Sequence, residues 1–536
     1  MNCVIGSGPA GIAVAHALLK LGQPVLMLDA GISLEPERAQ LVARMRRDRP
    51  ELWNLSDLAS YKAGMNPDVG GVPLKLVYGS DFAYQQADSR LGAVYENAGL
   101  RPSLARGGLS NVWGAAMLPY CQADMAAWPI SANDLAPHYS AVLDFVGLTG
   151  RKDALEAWFP LHAKRLTRLE PSRQAARLLD RMERRKDSLA ADGIHFGYSR
   201  LALRGQSDTR EAGDTATCNY CRLCMYGCPY DHIYSSALTL AQLLNEPGFT
   251  YQPGVMVQTT GENAAAAWAQ GIELKSGKTL RWEASRIFLG AGVISTTKIL
   301  LRSLEMFDQP VWLKDSQYFL VPLALYRKVK GATTERSYGL SQAFIEIMDK
   351  ECSPHTVHIQ IYSNSDLISQ TIAAPFGPFQ RPFAPLIRDL QERLLVAQGF
   401  LHSSESSRIE VRLLPGKGSE NDQIRLRGEV NPAAKKTVRR VLRKLARHTR
   451  DLGAFPLSPM VKVAEPGRSF HVGGSFPMSR RPGPLESDTL GRVGGFKRIH
   501  AIDAAVLPDI PATTITLSVM ANAHRIASLA GKDGAP

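Results

Sequence analysis

The chain has 536 residues, 45% of them hydrophobic, which is enough to bury a large core in two intertwined domains and excludes a disordered polypeptide. Its formal net charge is +13 with a sequence pI near 9.4, which suits either an anionic partner or an arginine-rich surface. No nucleic-acid-binding motif accompanies that charge, so the second reading is preferred, and no run of 18 apolar residues offers a bilayer span.

The first element is the stretch Val4-Ile5-Gly6-Ser7-Gly8-Pro9-Ala10-Gly11, a Gly-x-Gly-x-x-Gly turn between an apolar strand and an apolar helix. Gly6 permits the tight turn, Gly8 lets the backbone approach phosphates, and Gly11 allows helix to pack on strand. The helix is predicted from Ala10 to about Leu21, and Val25 to Leu28 reads as the next strand. Asp29 ends that strand 18 residues after Gly11, where an acidic group meets adenosine ribose hydroxyls. Because the turn lies so close to Met1, no signal peptide is expected and the protein is placed in the cytoplasm.

Residues 30 to 100 are polar and mixed, with helical patches such as Glu35 to Arg47. The run Arg106-Gly107-Gly108-Leu109-Ser110-Asn111-Val112-Trp113-Gly114 predicts a loop in close contact with a ligand, or a plain glycine turn. Ser131 and Asp134 are spaced as a capping box, and helical sequence continues with interruptions to about Asp187. Strands are expected at 254–259, 271–274 and 286–289, the last ending in Gly290-Ala291-Gly292 before a helix.

From 311 to 414 apolar and polar residues alternate, as in Val357-His358-Ile359-Gln360-Ile361 and Ile409 to Leu413. That period predicts a sheet with one covered face and one open face, suited to walling a substrate cavity. The Pro375-Phe376-Gly377-Pro378-Phe379 run to Phe383 reads as a loop packed on the protein in preference to a lid or membrane dip. Residues 435–450 form a basic amphipathic helix that suits a solvated surface, with peripheral contact to anionic lipid as the alternative.

Two stretches carry chemistry. Of seven cysteines, Cys218, Cys221, Cys224 and Cys228 follow C-x2-C-x2-C-x3-C-Pro, the spacing of a bacterial ferredoxin loop. With no second run, this predicts a three-iron or four-iron cluster in preference to zinc, which usually pairs two separate knuckles, or to no metal. The other stretch runs from Ser469 through His471-Val472-Gly473-Gly474 to Asp503-Ala504 and Pro508, where glycines beside an imidazole suggest a tight ligand pocket.

Together these motifs resemble the glucose-methanol-choline (GMC) oxidoreductase family of FAD-dependent alcohol oxidases and dehydrogenases, at both chain ends and in the middle but not across roughly 311–460. The resemblance implies an α/β fold: a Rossmann-like FAD-binding domain built from 1–125, 205–310 and 465–536, a helical excursion at 126–204, and an α+β substrate domain with an antiparallel sheet at 311–464. It places Gly6, Gly8, Gly11, Asp29, Gly107, Gly108, Ser110, Asn111, Val257, Asp503 and Ala504 against FAD. His471 matches the family's histidine that takes the alcohol proton while hydride passes to the flavin. A second His or Asn is usual where this chain has Thr514, which can form a hydrogen bond but cannot act as a base near neutral pH. Val112 stands where some members carry a flavin-linking histidine, so FAD is expected to be non-covalent. The cysteine run resembles, with different spacing, that of cluster-bearing bacterial sugar dehydrogenases of the family, which implies a cluster relay and favours dehydrogenase over oxidase. The implied substrate is a small alcohol, a sugar or polyol. A redox-neutral isomerase or epimerase and a non-catalytic electron-transfer flavoprotein are the alternatives.

Overall fold

Five short strands taken from widely separated parts of the chain pair side by side, all parallel, in the order Ile499–Ala501, Arg286–Leu289, Asn2–Ile5, Val25–Leu28 and Phe249–Gln252. The computed structural model describes residues 1–64, 74–207, 217–416 and 422–532. The three central strands are buried along their whole length, as expected for a parallel sheet covered on both faces. Register places Ile5 beside both Leu28 and Leu289, and Leu289 beside Ala501, so the carboxyl ends of these strands finish together.

Helix Pro9–Lys20 starts with proline in its first turn and buries nearly every side chain from Ala10 to Leu18. The C-terminal helix Thr516–Lys532 packs against it and against Ala132–Val146. The predicted capping box is present at the start of Ala132–Val146: Asp134 N donates to Ser131 Oγ at 3.3 Å and Ser131 N to Asp134 Oδ2 at 2.8 Å. Between the third and fourth strands of the chain's parallel sheet stands an antiparallel meander of Val255–Glu262, Ala267–Glu273 and Thr279–Ala284.

The second large sheet is antiparallel, in the order Ala454–Pro456, Tyr318–Leu325, Leu394–Phe400, Val357–Tyr362, Ala343–Ile347 and Ile194–Tyr198, with Lys462–Val463 also paired to Tyr318–Leu325. A third sheet runs Val472–Gly473, Val311–Asp315, Arg408–Leu414, Gln423–Glu429 and Ala93–Glu96. The α/β class with a Rossmann-like parallel sheet and an antiparallel second sheet is therefore as the sequence implied. Two strands depart from the expected layout. Ile194–Tyr198 comes from the stretch read as helical, although Arg173–Glu183 and Lys186–Ala191 there are helices, and Ala93–Glu96 comes from a stretch read as featureless. Both are short edge strands whose partners lie more than 140 residues away, so local pattern carries little of their pairing.

The basic helix forms at Pro432–Arg447. Its Val438, Val441, Leu442 and Leu445 are buried in the second core, against the apolar face of the antiparallel sheet. That face is covered and is not offered to lipid. In the Phe-rich segment, Phe376 and Phe383 pair at 5.6 Å, while Phe383 and Leu386 keep 46% and 48% exposure. Among the described residues no helix is long and apolar enough to cross a membrane.

Three imidazoles meet where the N-terminal, 132–146 and C-terminal helices touch. His138 Nδ1 lies 2.8 Å from His524 Nδ1, and the His16 ring is 5.9 Å from that of His524. One of the paired nitrogens must accept, so protonating it would set two N–H groups face to face. Burial, as the leading cause, lowers His16 and His138 to about 4 and His524 to about 3 from 6.5. The unfolded chain takes up protons as pH falls through 6.5 and the folded chain does so only near 4, so this stabilisation is full above about 6.5 and is lost on acidification. Thermal melts between pH 7 and 4 should show Tm falling, with a shallower slope in His138→Gln; parallel slopes in the two proteins would refute the assignment.

Candidate active site

Where the parallel strands end, a cleft opens, lined by Gly6, Ser7 and Gly8 after the first strand, Asp29 after the second, Gly290 to Ser295 after Arg286–Leu289, and Asp503 and Ala504 after the last. Ligands of doubly wound sheets bind at such carboxyl ends. Leu100 to Ser103, Gly108 and Leu109 close one side, and Ile515, Thr516 and Val519 bring in the start of the C-terminal helix. Its free N–H groups and dipole favour an anionic or electron-rich group there.

The glycines of the turn do different work. A Cβ on Gly6, which sits at φ +97°, would fall on Gly290 O, and one on Gly11 would fall on Gly6 O. These two therefore hold strand, turn and helix together. A Cβ on Gly8 meets nothing within 4 Å, so the space beside Gly8 belongs to the cleft.

Asp29 accepts from Ser7 Oγ and, at 3.0 Å, from Tyr251 OH. Ser7 Oγ in turn accepts from Gly107 N at 2.9 Å, tying the two glycine loops together. Burial pushes the Asp29 carboxyl up to about 6, against the lowering effect of these donors. Asp503 is held by Gly292 N at 3.0 Å, Thr296 Oγ1 at 2.5 Å and Ala505 N at 3.0 Å, and burial likewise raises it to about 6.

Gly6, Gly8, Asp29, Gly108, Asp503 and Ala504 thus line the cleft, and the other expected contacts stand behind it. Asn111 Nδ2 braces the loop on Arg106 O and Gly108 O, and Ser110 Oγ donates to Gly107 O at 2.6 Å. A Cβ on Gly107 would press on Ala237 N at 2.9 Å. Val257 lines a neighbouring hollow behind Asp29. Val112 is buried with Val77 and Phe82.

His471 is carried into this region by its neighbours, since Phe470 and Val472 both line the cleft. Its backbone is pinned by Asp315, whose carboxylate accepts from Gly467 N at 2.7 Å and Ser469 Oγ at 2.6 Å. Ser469 Oγ then accepts from His471 N at 2.9 Å, and His471 O accepts from Ser316 N at 2.9 Å. The ring stacks on Phe400 at 4.9 Å, and its Nδ1 is buried with no hydrogen-bond partner among the described residues. Burial, with His358 adding to it, lowers the ring to about 4, so it is neutral at pH 7. Thr514 is buried, and its Oγ1 accepts from Leu118 N at 3.0 Å, which leaves its own hydrogen to donate.

The four cysteines gather in one loop. Backbone N–H groups of Tyr220, Gly339 and His232 donate to the sulphurs of Cys218, Cys224 and Cys228 at 3.4, 3.3 and 3.4 Å. Burial first, and neighbouring thiols next, push Cys221 up to about 12 and Cys224 to about 11. Among the described residues, however, no three His, Cys, Asp or Glu side chains are arranged to hold a metal ion. As arranged here, the thiols do not fit an iron-sulphur cluster, and the expectation based on spacing gains no support from geometry. Groups near the cysteines reach the glycine loop: Ser236 N, at the start of helix Ser236–Leu243, donates to Ser110 Oγ at 2.9 Å, and Lys75 Nζ, half-buried near Cys224 and Cys228, donates to Trp113 O at 2.8 Å.

Ser7, Tyr251, Asp315 and Leu100 to Ser103 are not singled out by the sequence reading. Ser7 lies inside the glycine motif and was the one with a local signal; the others reach the site only through folding.

No protein-family model and no curated protein matches the chain. Among solved structures, pyridoxine 4-oxidase from Mesorbium loti superposes with a TM-score of 0.59 at 14% identity, covering 98% of each chain. A formate oxidase gives 0.56 at 15% identity over 99% of this chain and 97% of that one. A variant of the Aspergillus oryzae formate oxidase, solved for its effect on FAD modification, gives 0.57 at 14% over the same shares. These likenesses establish a common fold along the whole length.

The glycine geometry separates folding from binding. Gly8→Ala should keep the parent Tm and lose dinucleotide affinity by at least about tenfold, whereas Gly6→Ala, strained at positive φ and blocked by backbone, should lose both. Equilibrium dialysis beside thermal melts checks this, and a Gly8→Ala protein that binds normally would refute it.

Proposed function

We propose that this chain is an FAD-dependent oxidoreductase of the GMC type that removes hydride from the CH–OH group of a small alcohol, a sugar or polyol. The observation that carries the reading is convergence: the Gly6 turn, the Gly290 to Gly292 turn, the Asp503-Ala504 segment and the residues flanking a buried neutral imidazole all border one cleft. The solved structures of the same fold are a pyridoxine 4-oxidase and formate oxidases, one of them a variant solved for its effect on FAD modification.

The cleft suits a dinucleotide. Gly6, Gly8 and Gly108 would lie against the pyrophosphate, and Asp29, oriented by Ser7 and Tyr251, would accept from ribose hydroxyls. Asp503, Ala504 and the Thr516 end of the helix would border the ring. Bound FAD supplies the hydride acceptor. With valine at 112, no imidazole stands there to link it, and the FAD is non-covalent.

His471 takes the hydroxyl proton. Burial makes the ring a weaker base than a free imidazole, which favours proton removal in step with hydride departure. Burial keeps the ring neutral and able to accept, Asp315 fixes its loop, and Phe400 fixes its plane. Thr514 donates to the substrate oxygen and does not take a proton.

Anaerobic addition of alcohols should bleach the flavin spectrum, and His471→Ala should slow that reduction by about 10²-fold or more with flavin retained. The acid limb of kcat/KM should stay level from pH 7 to about 5 and fall as pH drops through about 4, where the imidazole is protonated. No reduction by any alcohol, or full activity in His471→Ala, would remove the reading.

A further inference from the structure

The strand Val357–Tyr362 has an unusual second face. Ile359 and Ile361 point into the second core, as does Val357, while His358 and Gln360 on the opposite face are 0% and 4% exposed. Alternation of this kind normally marks a solvated face, yet these polar groups are enclosed and bonded to one another. Tyr362 OH donates to Gln360 Oε1 at 2.8 Å, Gln360 Nε2 to His358 Nε2 at 3.2 Å, and His358 Nδ1 to Glu346 Oε1 at 2.7 Å. Register sets Glu346 directly beside His358 on the neighbouring strand.

The direction of this ladder is fixed from its buried end. A carboxylate only accepts, so His358 carries its proton on Nδ1 and accepts at Nε2. Gln360 therefore turns its amide N–H to the ring and its carbonyl to Tyr362. The phenolic hydrogen is committed inward, which leaves the Tyr362 oxygen with acceptor capacity only.

The ladder runs beside groups that adjoin the site at His358 and at Tyr362. Phe400 lies between His358, at 6.0 Å, and His471, at 4.9 Å. At the other end, a Cβ on Gly114 would come within 3.7 Å of Tyr362 OH, and Gly114 closes the loop whose Gly108 and Leu109 line the cleft. Tyr362 and His471 both keep some accessible surface in this enclosed place.

We propose that Tyr362 is a specificity-determining residue whose oxygen accepts a hydrogen bond from a second hydroxyl of a polyhydroxylated substrate, while His471 faces the hydroxyl being oxidised. The inference rests on the alcohol-oxidoreductase reading and selects polyols over mono-alcohols within it. A substrate carrying only one hydroxyl leaves that acceptor unpaired.

The test is calorimetric binding of xylitol and of 1-pentanol to the FAD-loaded protein in the His471→Ala background, which silences turnover. Xylitol should bind at least about tenfold tighter, and adding Tyr362→Phe should abolish most of that ratio. Gln360→Met, which frees the tyrosine hydrogen, should reduce the ratio by a smaller factor and serves as the second variant. Equal affinities for the two ligands, or a ratio unchanged by both substitutions, would overturn the proposal. Failure of the oxidoreductase reading is seen separately, as a parent flavin that no alcohol reduces whatever the binding ratio.

Discussion

The pairing of three residues, Ile499–Ala501, onto Arg286–Leu289 is the contact on which the site depends. It returns the C-terminal segment of the chain to the sheet that its first residues began. Beyond it, Asp503 bonds across to Gly292 and Thr296, and Gly474, Phe476 and Met478 donate to the carbonyls of Ala504, Ala505 and Val506. Asp503 and the residues flanking His471, Phe470 and Val472, are thereby held at the same cleft. A three-residue parallel pairing is weak alone. Here it is sustained by fully buried Ile499, Ala501 and Ile502 and by the C-terminal helix lying on the N-terminal one.

Burial then sets the charge states. Enclosure in a low-dielectric site opposes charge of either sign, so it raises Asp29 and Asp503 to about 6 and lowers His471 to about 4. The effect keeps the imidazole free to receive a proton at neutral pH. Near neutral pH the two carboxylates stay ionised, ready to accept hydrogen bonds from a ligand.

The two large sheets divide the work. The parallel sheet ends in turns whose backbone approaches the cleft, and the antiparallel sheet buries one face on the basic helix and turns a polar face inward. Between them, groups near the cysteine loop reach the glycine loop, Ser236 at Ser110 and Lys75 at Trp113. Among the described residues the thiols form no group that could hold a metal ion.

Much of this was legible without coordinates. Periodicity and glycine placement identified the first strand, turn and helix, the strand at 286–289 and the helix following Gly292, because these elements are specified by residues a few positions apart. The same locality made Gly6, Gly8 and Asp29 recognisable, whereas Asp503 came only through the family resemblance. Edge strands Ile194–Tyr198 and Ala93–Glu96 were not, since their partners are remote and their own patterns short. The alternation of Val357 to Ile361 correctly marked a two-faced strand, but the polar face proved enclosed and internally bonded.

By itself, then, the sequence determined the glycine turns and the elements beside them, properties of local spacing, while the class of fold and the role of the histidine came through the family resemblance of its motifs. Only the tertiary structure decided that Asp315 pins the His471 loop, that the basic helix has its apolar side covered, and that Tyr362 heads a one-way chain of donors. Each of those depends on which distant groups share a buried space, where a missing partner cannot be replaced by water.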